Sequence, residues 1–276
     1  MHLSVALLSI VTVAMGADSY TDEYRFDFRN GQFDNRSLEL MGVGAARMVK
    51  STAKGVQLAI PSNAKADEVG LSPRMRIQGD FEIRASFEIV DVEAPKAGYG
   101  IGPSLYLATD TKEAMAATLS RVKRVKDGEA FVAHSAVNRD SGGTPKRQHR
   151  ARKINATSKS GTLCLIRSGN RLQYLAGEGE TGALRQVDSV DFTDADVRQV
   201  LVRLVRNGDR TGATIVWKTL EIRAERLVKV GEQGSRSVLA WVSGLMLLLA
   251  ATTAAGWYWL RKKSSGASDS GDDSSA

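Results

Sequence analysis

Apolar and polar side chains alternate with period two through most of this sequence, and that pattern excludes a helical fold. The clearest stretch runs from Asp80 to Asp91, with Phe81, Ile83, Ala85, Phe87 and Ile89 on one side and Glu82, Arg84, Ser86 and Glu88 on the other. Successive strand side chains point to opposite faces, so such a strand has one face on a core and one in water. The same alternation marks Tyr24–Phe28, Val56–Ile60, Leu105–Leu107, Thr162–Arg167, Arg171–Leu175 and Val200–Arg206. Turn signals separate these runs: Asn30-Gly31, Pro61, Asp127-Gly128, Ser168-Gly169-Asn170 and Asn207-Gly208. The run from Thr214 to Arg223 changes parity, because Ile215 and Trp217 fall on one face and Leu220 and Ile222 on the other. A β-bulge at Lys218-Thr219 would bring all four to the core. Thr193–Asp196 reads as one short turn, and helical periodicity is otherwise almost absent. About a dozen short strands of this kind predict an all-β fold, an antiparallel β-sandwich or jelly roll.

Two apolar segments break the pattern at the chain ends. Val238–Leu260 carries no ionisable side chain except the Tyr258 phenol, with Trp241 near one end, Trp257, Tyr258 and Trp259 at the other, and Arg261-Lys262-Lys263 following. Its length suits a hydrocarbon core of roughly 30 Å crossed at 1.5 Å per residue. Interfacial aromatics and a basic stop are the marks of a transmembrane helix whose C-terminal side is cytoplasmic. Leu3–Val13 is too short to span and is followed by Ala14-Met15-Gly16, the small-residue pattern of a signal-peptide cleavage site; His2 stands where Lys or Arg is usual. The expected organisation is therefore a signal peptide over 1–16, an extracytoplasmic sandwich over 17–227, a juxtamembrane linker over 228–237, a transmembrane helix over 238–260 and a short polar tail over 261–276. In this arrangement the chain is a single-pass membrane protein with its folded domain outside.

Cys164 is the sole cysteine, so no intramolecular disulfide can form, and the domain must be held by packing. It lies in the apolar run Thr162–Ile166, which marks it as a buried structural thiol. The formal net charge is +7, with much of the excess between Arg121 and Lys153 and in the basic stop. A basic outer domain suits polyanionic partners such as acidic or sulfated polysaccharide, although charged strand edges account for the same residues. Nothing in the pattern marks a specific nucleic-acid reader, and oligomeric state is not legible.

Three stretches in order, Gly79–Ile89, Gly161–Gly179 and Gly212–Glu225, resemble the concanavalin A-like lectin/glucanase sandwich. The hairpin through Ser168-Gly169-Asn170 and the closing strand with Trp217 and Leu220 either side of a bulge carry most of this resemblance. More narrowly, the chain is similar to a bacterial family of that fold, of uncharacterised function, whose members are often secreted or membrane-attached. The resemblance implies a lectin-like module that binds glycan or cell-envelope polymer; a glycan-degrading hydrolase and a structural envelope domain are the alternatives.

The glucanase alternative requires paired carboxylates. Glu88, Asp91 and Glu93 resemble the glucanase catalytic strand only loosely, since Glu88 and Asp91 fall on opposite faces and Ala94-Pro95 ends the strand. No catalytic residue is assigned, and the histidines lie far apart in sequence. Two groups are candidates for ligand binding. One is the cation run Lys146, Arg147, Arg150, Arg152 and Lys153 behind the glycine-rich Asp140–Thr144, expected as a loop, where guanidinium forks suit sulfate or phosphate. The other is Tyr99 with Tyr106 around Gly98–Gly102, which either stack on sugar or fill the core. Lectins of the resembled fold often use Ca²⁺. The nearest acidic grouping, Asp188, Asp191, Asp194 and Asp196, lacks the carbonyl-rich, glycine-bent arrangement of a Ca²⁺ loop, so no metal or cofactor is assigned.

Overall fold

The computed structural model describes residues 20–230, apart from 32, 33, 35, 112–114, 127, 142, 143 and 209 and the side chains of 139–146. The expected signal peptide over 1–16 and transmembrane helix over 238–260 lie outside the described residues. Among the described residues no helix is long and apolar enough to cross a membrane. The chain forms one compact unit up to Val228 and a second from Lys229, of which only Lys229 and Val230 are described.

The described residues of the first unit form fifteen strands, one turn of 3-10 helix at Phe28–Asn30 and one short α-helix, α1 (Ala45–Met48). The chain opens with β1 (Asp22–Asp27), β2 (Leu38–Met41), β3 (Val49–Thr52), β4 (Gly55–Ile60) and β5 (Glu68–Pro73). The long β6 (Met75–Val92) leads into β7 (Gly100–Thr109), β8 (Ala116–Lys123), β9 (Glu129–Ser141) and β10 (Thr144–Asn155). Then come β11 (Ser160–Ser168), β12 (Arg171–Glu178), β13 (Arg185–Asp191), β14 (Val197–Asn207) and β15 (Ala213–Lys229).

The pairings define two layers. The front layer runs β10-β9-β8-β7-β14-β5-β2. The back layer runs β13-β12-β11-β6-β15, with β1 and β4 pairing successive parts of β15 and β3 beyond β4. A single register contact, Val197 with Ile77, joins the layers through β14 and β6. All described pairings are antiparallel, and the two inner faces enclose the core, as the alternation predicts.

Inward from the front layer come Leu71, Leu105, Leu107, Leu119, Phe131, Val202 and Leu204, each fully buried. From the back layer come Phe81, Ile83, Ala85, Phe87, Leu163, Leu165 and Tyr174, also fully buried. β6 buries the five apolar residues of the alternating run and leaves Glu82, Arg84, Ser86 and Glu88 outside. The parity change in β15 falls where the alternation places it. Ile215, Trp217, Leu220 and Ile222 are all buried, while Lys218 and Thr219 between them are only half-buried. At the same point β15 leaves β4, last paired at Trp217, and takes up β1 at Thr219. Trp217 meets Phe87 edge-on, ring centroids 6.0 Å apart, at the centre of this core.

Three arginines are buried at the margins of the sandwich, and each spends its guanidinium on backbone carbonyls. Arg206 donates to the carbonyls of Pro61, Ala64 and Ala66. Arg167 donates to those of Gly79, Thr193 and Ala195 and lies 4.8 Å over the Phe81 ring. Arg121 donates to Ser158 and Val122 and pairs with Glu129. These contacts partner the terminal nitrogens and offset the cost of burying each charge, while the Nε of all three finds no partner among the described residues. These residues fasten loops to the layers rather than facing a ligand.

Candidate functional site

Strand alternation decides what the front layer shows to solvent. Ala116, Thr118, Ser120 and Val122 of β8, and Val132, His134 and Ala136 of β9, share the outer face. These small side chains form the floor of a cleft of about 500 Å³. Arg147 and Ala151 of β10 close one side; Tyr106 of β7 and Arg203, Val205 and Asn207 of β14 close the other, with Tyr99 and Arg124 at the end.

The rim by Tyr99 depends on glycine. Gly98 and Gly208 both hold positive φ, and their backbones pack so closely that a Cβ on Gly98 would strike the Asn207 carbonyl. The Tyr99 amide donates to that same carbonyl at 3.0 Å. Tyr99 is thereby presented 79% exposed, so it does not fill the core. Tyr106 is half-buried, and the Arg203 guanidinium covers its ring at 4.6 Å while pairing with Glu68. Gly70 faces Arg203 across the β5–β14 register, and a side chain there would press on the arginine Cβ.

The cation run lies on a strand, β10, and not in the loop expected for it. Alternation divides it between two faces. Arg147 shares the cleft face with His149, Ala151 and Lys153, because these pair with Asn138, Ala136, His134 and Val132 of β9. Arg150 and Arg152 take the opposite face, paired with Ser135 and Ala133. Arg150 there forks onto Asp188 of β13, at 2.8 and 3.1 Å, and ties the edges of the two layers. Lys146 pairs in register with Arg139, and its side chain is outside the described residues. Of the seven candidate binding residues, Tyr99, Tyr106 and Arg147 converge on the cleft.

His134 and His149 were not legible as a pair, being 15 residues apart. In the β9–β10 hairpin they become diagonal neighbours on one face, with His134 Nε2 3.1 Å from His149 Nδ1 and ring centroids 5.2 Å apart. The β9–β10 register, which starts from Thr144 opposite Ser141, brings them together. Partial burial, foremost, holds the His134 imidazole below its ordinary pKa, and the neighbouring His149 and Arg147 add to this. From behind, the Tyr174 hydroxyl of the back layer reaches the His134 carbonyl at 3.5 Å.

None of the described residues lining the cleft is a carboxylate. The carboxylates weighed for hydrolysis lie elsewhere. Glu88 pairs with Lys218 at 3.0 Å on the outer face of the back layer. Asp91 is exposed at the end of β6, and Glu93 accepts from the Gly212 amide at 2.9 Å. Three of the four acidic residues after β12 are likewise engaged: Asp188 holds Arg150, Asp191 holds Arg171 and Asp196 accepts from Gln78. Among the described residues no group of three or more His, Cys, Asp or Glu could hold a metal ion. A smaller groove of about 260 Å³ on the back layer contains Arg25, Arg84, Lys218, Glu180 and Glu221. Its charged groups are ion-paired: Arg25 with Glu221 and Lys218 with Glu180 inside the groove, and Arg84 with Glu82 and Arg29 with Asp27 beside it.

No curated protein matches the sequence. A family model described as "Protein of unknown function (DUF1583) C domain" matches residues 9–243. Among solved structures, the chain is similar to one described as "Prominent members of the human gut microbiota express endo-acting O-glycanases to initiate mucin breakdown". That match has 11% identity and a TM-score of 0.50, over 75% of this chain and 98% of that one. It is also similar to the exoplasmic/lumenal domain of VIP36 in a Ca²⁺/Man3GlcNAc-bound form, with 12% identity, TM-score 0.45, 69% of this chain and 86% of that one. A legume lectin-like domain from Entamoeba histolytica matches at 11% identity, TM-score 0.45, over 71% of this chain and 91% of that one. At these identities the likeness concerns the fold alone.

Proposed function

The chain belongs to the family described as "Protein of unknown function (DUF1583) C domain", and we propose that its sandwich binds glycan in the front-layer cleft without cleaving it. The observation that carries this reading is the cleft itself: a floor of small residues, an exposed aromatic at the rim and hydrogen-bonding arginines at the sides. Sugars combine apolar ring faces with a hydroxyl periphery, and aromatic faces next to fork-shaped donors suit both. The cleft volume falls within the range of sites that take a small-molecule-sized ligand, roughly 300–1,000 Å³. A saccharide ligand is also in keeping with the similar fold of the structure whose description mentions mucin breakdown.

Hydrolysis is the second reading, and the carboxylates argue against it. A retaining or inverting glycosidase flanks the scissile bond with two carboxyl groups, whereas the described lining of this cleft contains none. In the proposed arrangement the apolar run at 238–260 anchors the chain to a membrane, with the sandwich on the extracytoplasmic side among envelope polymers. The test is a polysaccharide array probed with the purified chain and read for retention and for new reducing ends. Retention without new ends supports a binding module. New reducing ends would replace it with the hydrolase, and no retention on any polymer would leave a structural envelope role.

A further inference from the structure

Resting on the glycan reading, the charge of the cleft points to something narrower. We propose that the cleft selects an acidic glycan, one whose carboxylate or sulfate group sits between Arg147 and the His134–His149 pair, and that it binds this ligand more tightly as the pH falls. Arg147 and His149 are two residues apart on the cleft face of β10, so they lie side by side along one strand. His134 stands diagonally across on β9, within hydrogen-bonding distance of His149. At 3.1 Å one imidazole donates to the lone pair of the other, so the pair holds a single shared proton position and resists a second charge.

The groups facing the pair leave its charge uncompensated. Across the β8–β9 register His134 faces Thr118; on β10 Ala151 stands opposite it, with His149 and Lys153 as diagonal neighbours and Arg147 beyond His149. Across the cleft lie Tyr99, Tyr106, Arg124 and Arg203, the last already engaged with Glu68. From behind the strand come the Tyr174 hydroxyl and the Arg150–Asp188 pair, both on the opposite face. Among the described residues no carboxylate faces the imidazoles. Partial burial first, and then the repulsion of His149 and Arg147, disfavour the protonated His134 imidazole when no anion is bound. An anion seated between Arg147 and the imidazoles would reverse that repulsion and raise the pKa in the complex. By linkage, proton uptake then accompanies binding, and each unit of pKa difference between free and bound forms is worth about tenfold in affinity. The gain accumulates as pH falls from the bound-state pKa towards the free-state one.

Full-length protein is titrated calorimetrically at pH 7.5 and 5.5, at constant ionic strength, with two matched probe pairs. Oligogalacturonate against its methyl ester reports the carboxylate; dextran sulfate against dextran reports the sulfate. The expected result is about tenfold preference for at least one acidic probe over its neutral partner, with a further five- to tenfold gain at pH 5.5. His149→Gln, at an exposed position, removes one imidazole of the anion-holding pair and should abolish the pH gain. Arg147→Ala should weaken acidic probes at both pH values. Equal binding of acidic and neutral probes, or a pH gain that survives His149→Gln, overturns the proposal while leaving the glycan reading intact. If no probe binds and the polysaccharide array is also blank, both fall together.

Discussion

Tyr99 separates binding from stability more cleanly than any other residue of the cleft. It is 79% exposed, so the protein covers about a fifth of a side chain whose full burial removes roughly 200 Å² from water. At ~25 cal/mol per Å², deleting that contact costs the fold about 1 kcal/mol at most. A sugar ring laid on the open face would cover roughly half of what remains, about 75 Å², which corresponds to ~2 kcal/mol. At 1.4 kcal/mol per tenfold, Tyr99→Ala should weaken glycan binding about 25-fold. Tyr99→Phe keeps the face and loses only the hydroxyl, so its affinity should remain within about threefold of the parent. Calorimetric titration with a ligand identified on the array gives the affinities, and urea denaturation of the same samples gives the stabilities. A Tyr99→Ala protein that binds within twofold of the parent would refute the stacking argument. One that loses several kcal/mol of stability would show that the residue supports the fold.

Trp217 presents the opposite case, being fully buried against Phe87 with an indole N–H that finds no partner among the described residues. Trp217→Ala should cost about 3–5 kcal/mol by urea denaturation, and a loss under 1 kcal/mol would contradict the packing described. Burial, and next the charge of Glu82, push the Cys164 thiol up to about 12, so it should resist thiol reagents at pH 8 in the native protein and react fully in denaturant. His134 has a pKa below its unfolded value of 6.5, so the unfolded chain binds more protons. Ligand-free stability should therefore be intact above pH 6.5 and decline as pH falls below it, and His134→Gln should flatten that decline in thermal melts. Asp91→Asn and Glu93→Gln lie away from the cleft and should leave glycan binding unchanged.

The layers were legible because burial on one face enforces alternation, as the five inward residues of β6 show. The crossing of β15 from one parity to the other was also legible, since four large apolar residues could reach one core only through an irregularity at Lys218-Thr219. The short β2, β3 and β13 were not, because strands of 4 to 7 residues with mostly exposed or half-buried side chains carry little alternation. In the cleft, Tyr99, Tyr106 and Arg147 could be singled out by residue type. Their convergence depends on strand order, in which β7 and β10 are separated by β8 and β9. The division of the cation run between two faces follows from β10 being a strand. The glycine-rich, charged composition of 140–153 concealed that. Arg203 was hidden for a different reason, since a guanidinium stacked on Tyr106 and paired with Glu68 looks in sequence like any arginine on a strand.

The location of the glycan site is tested most directly by obstructing the cleft from its β10 side. Ala151 is exposed, lies beside His134 in register and lines the cleft, so Ala151→Trp would fill the space without entering the core. Titration of this variant with the array-identified glycan should show binding lost or weakened at least 50-fold, with the thermal melt unchanged. Retention of parental affinity in a folded Ala151→Trp protein would place the glycan elsewhere and contradict the site.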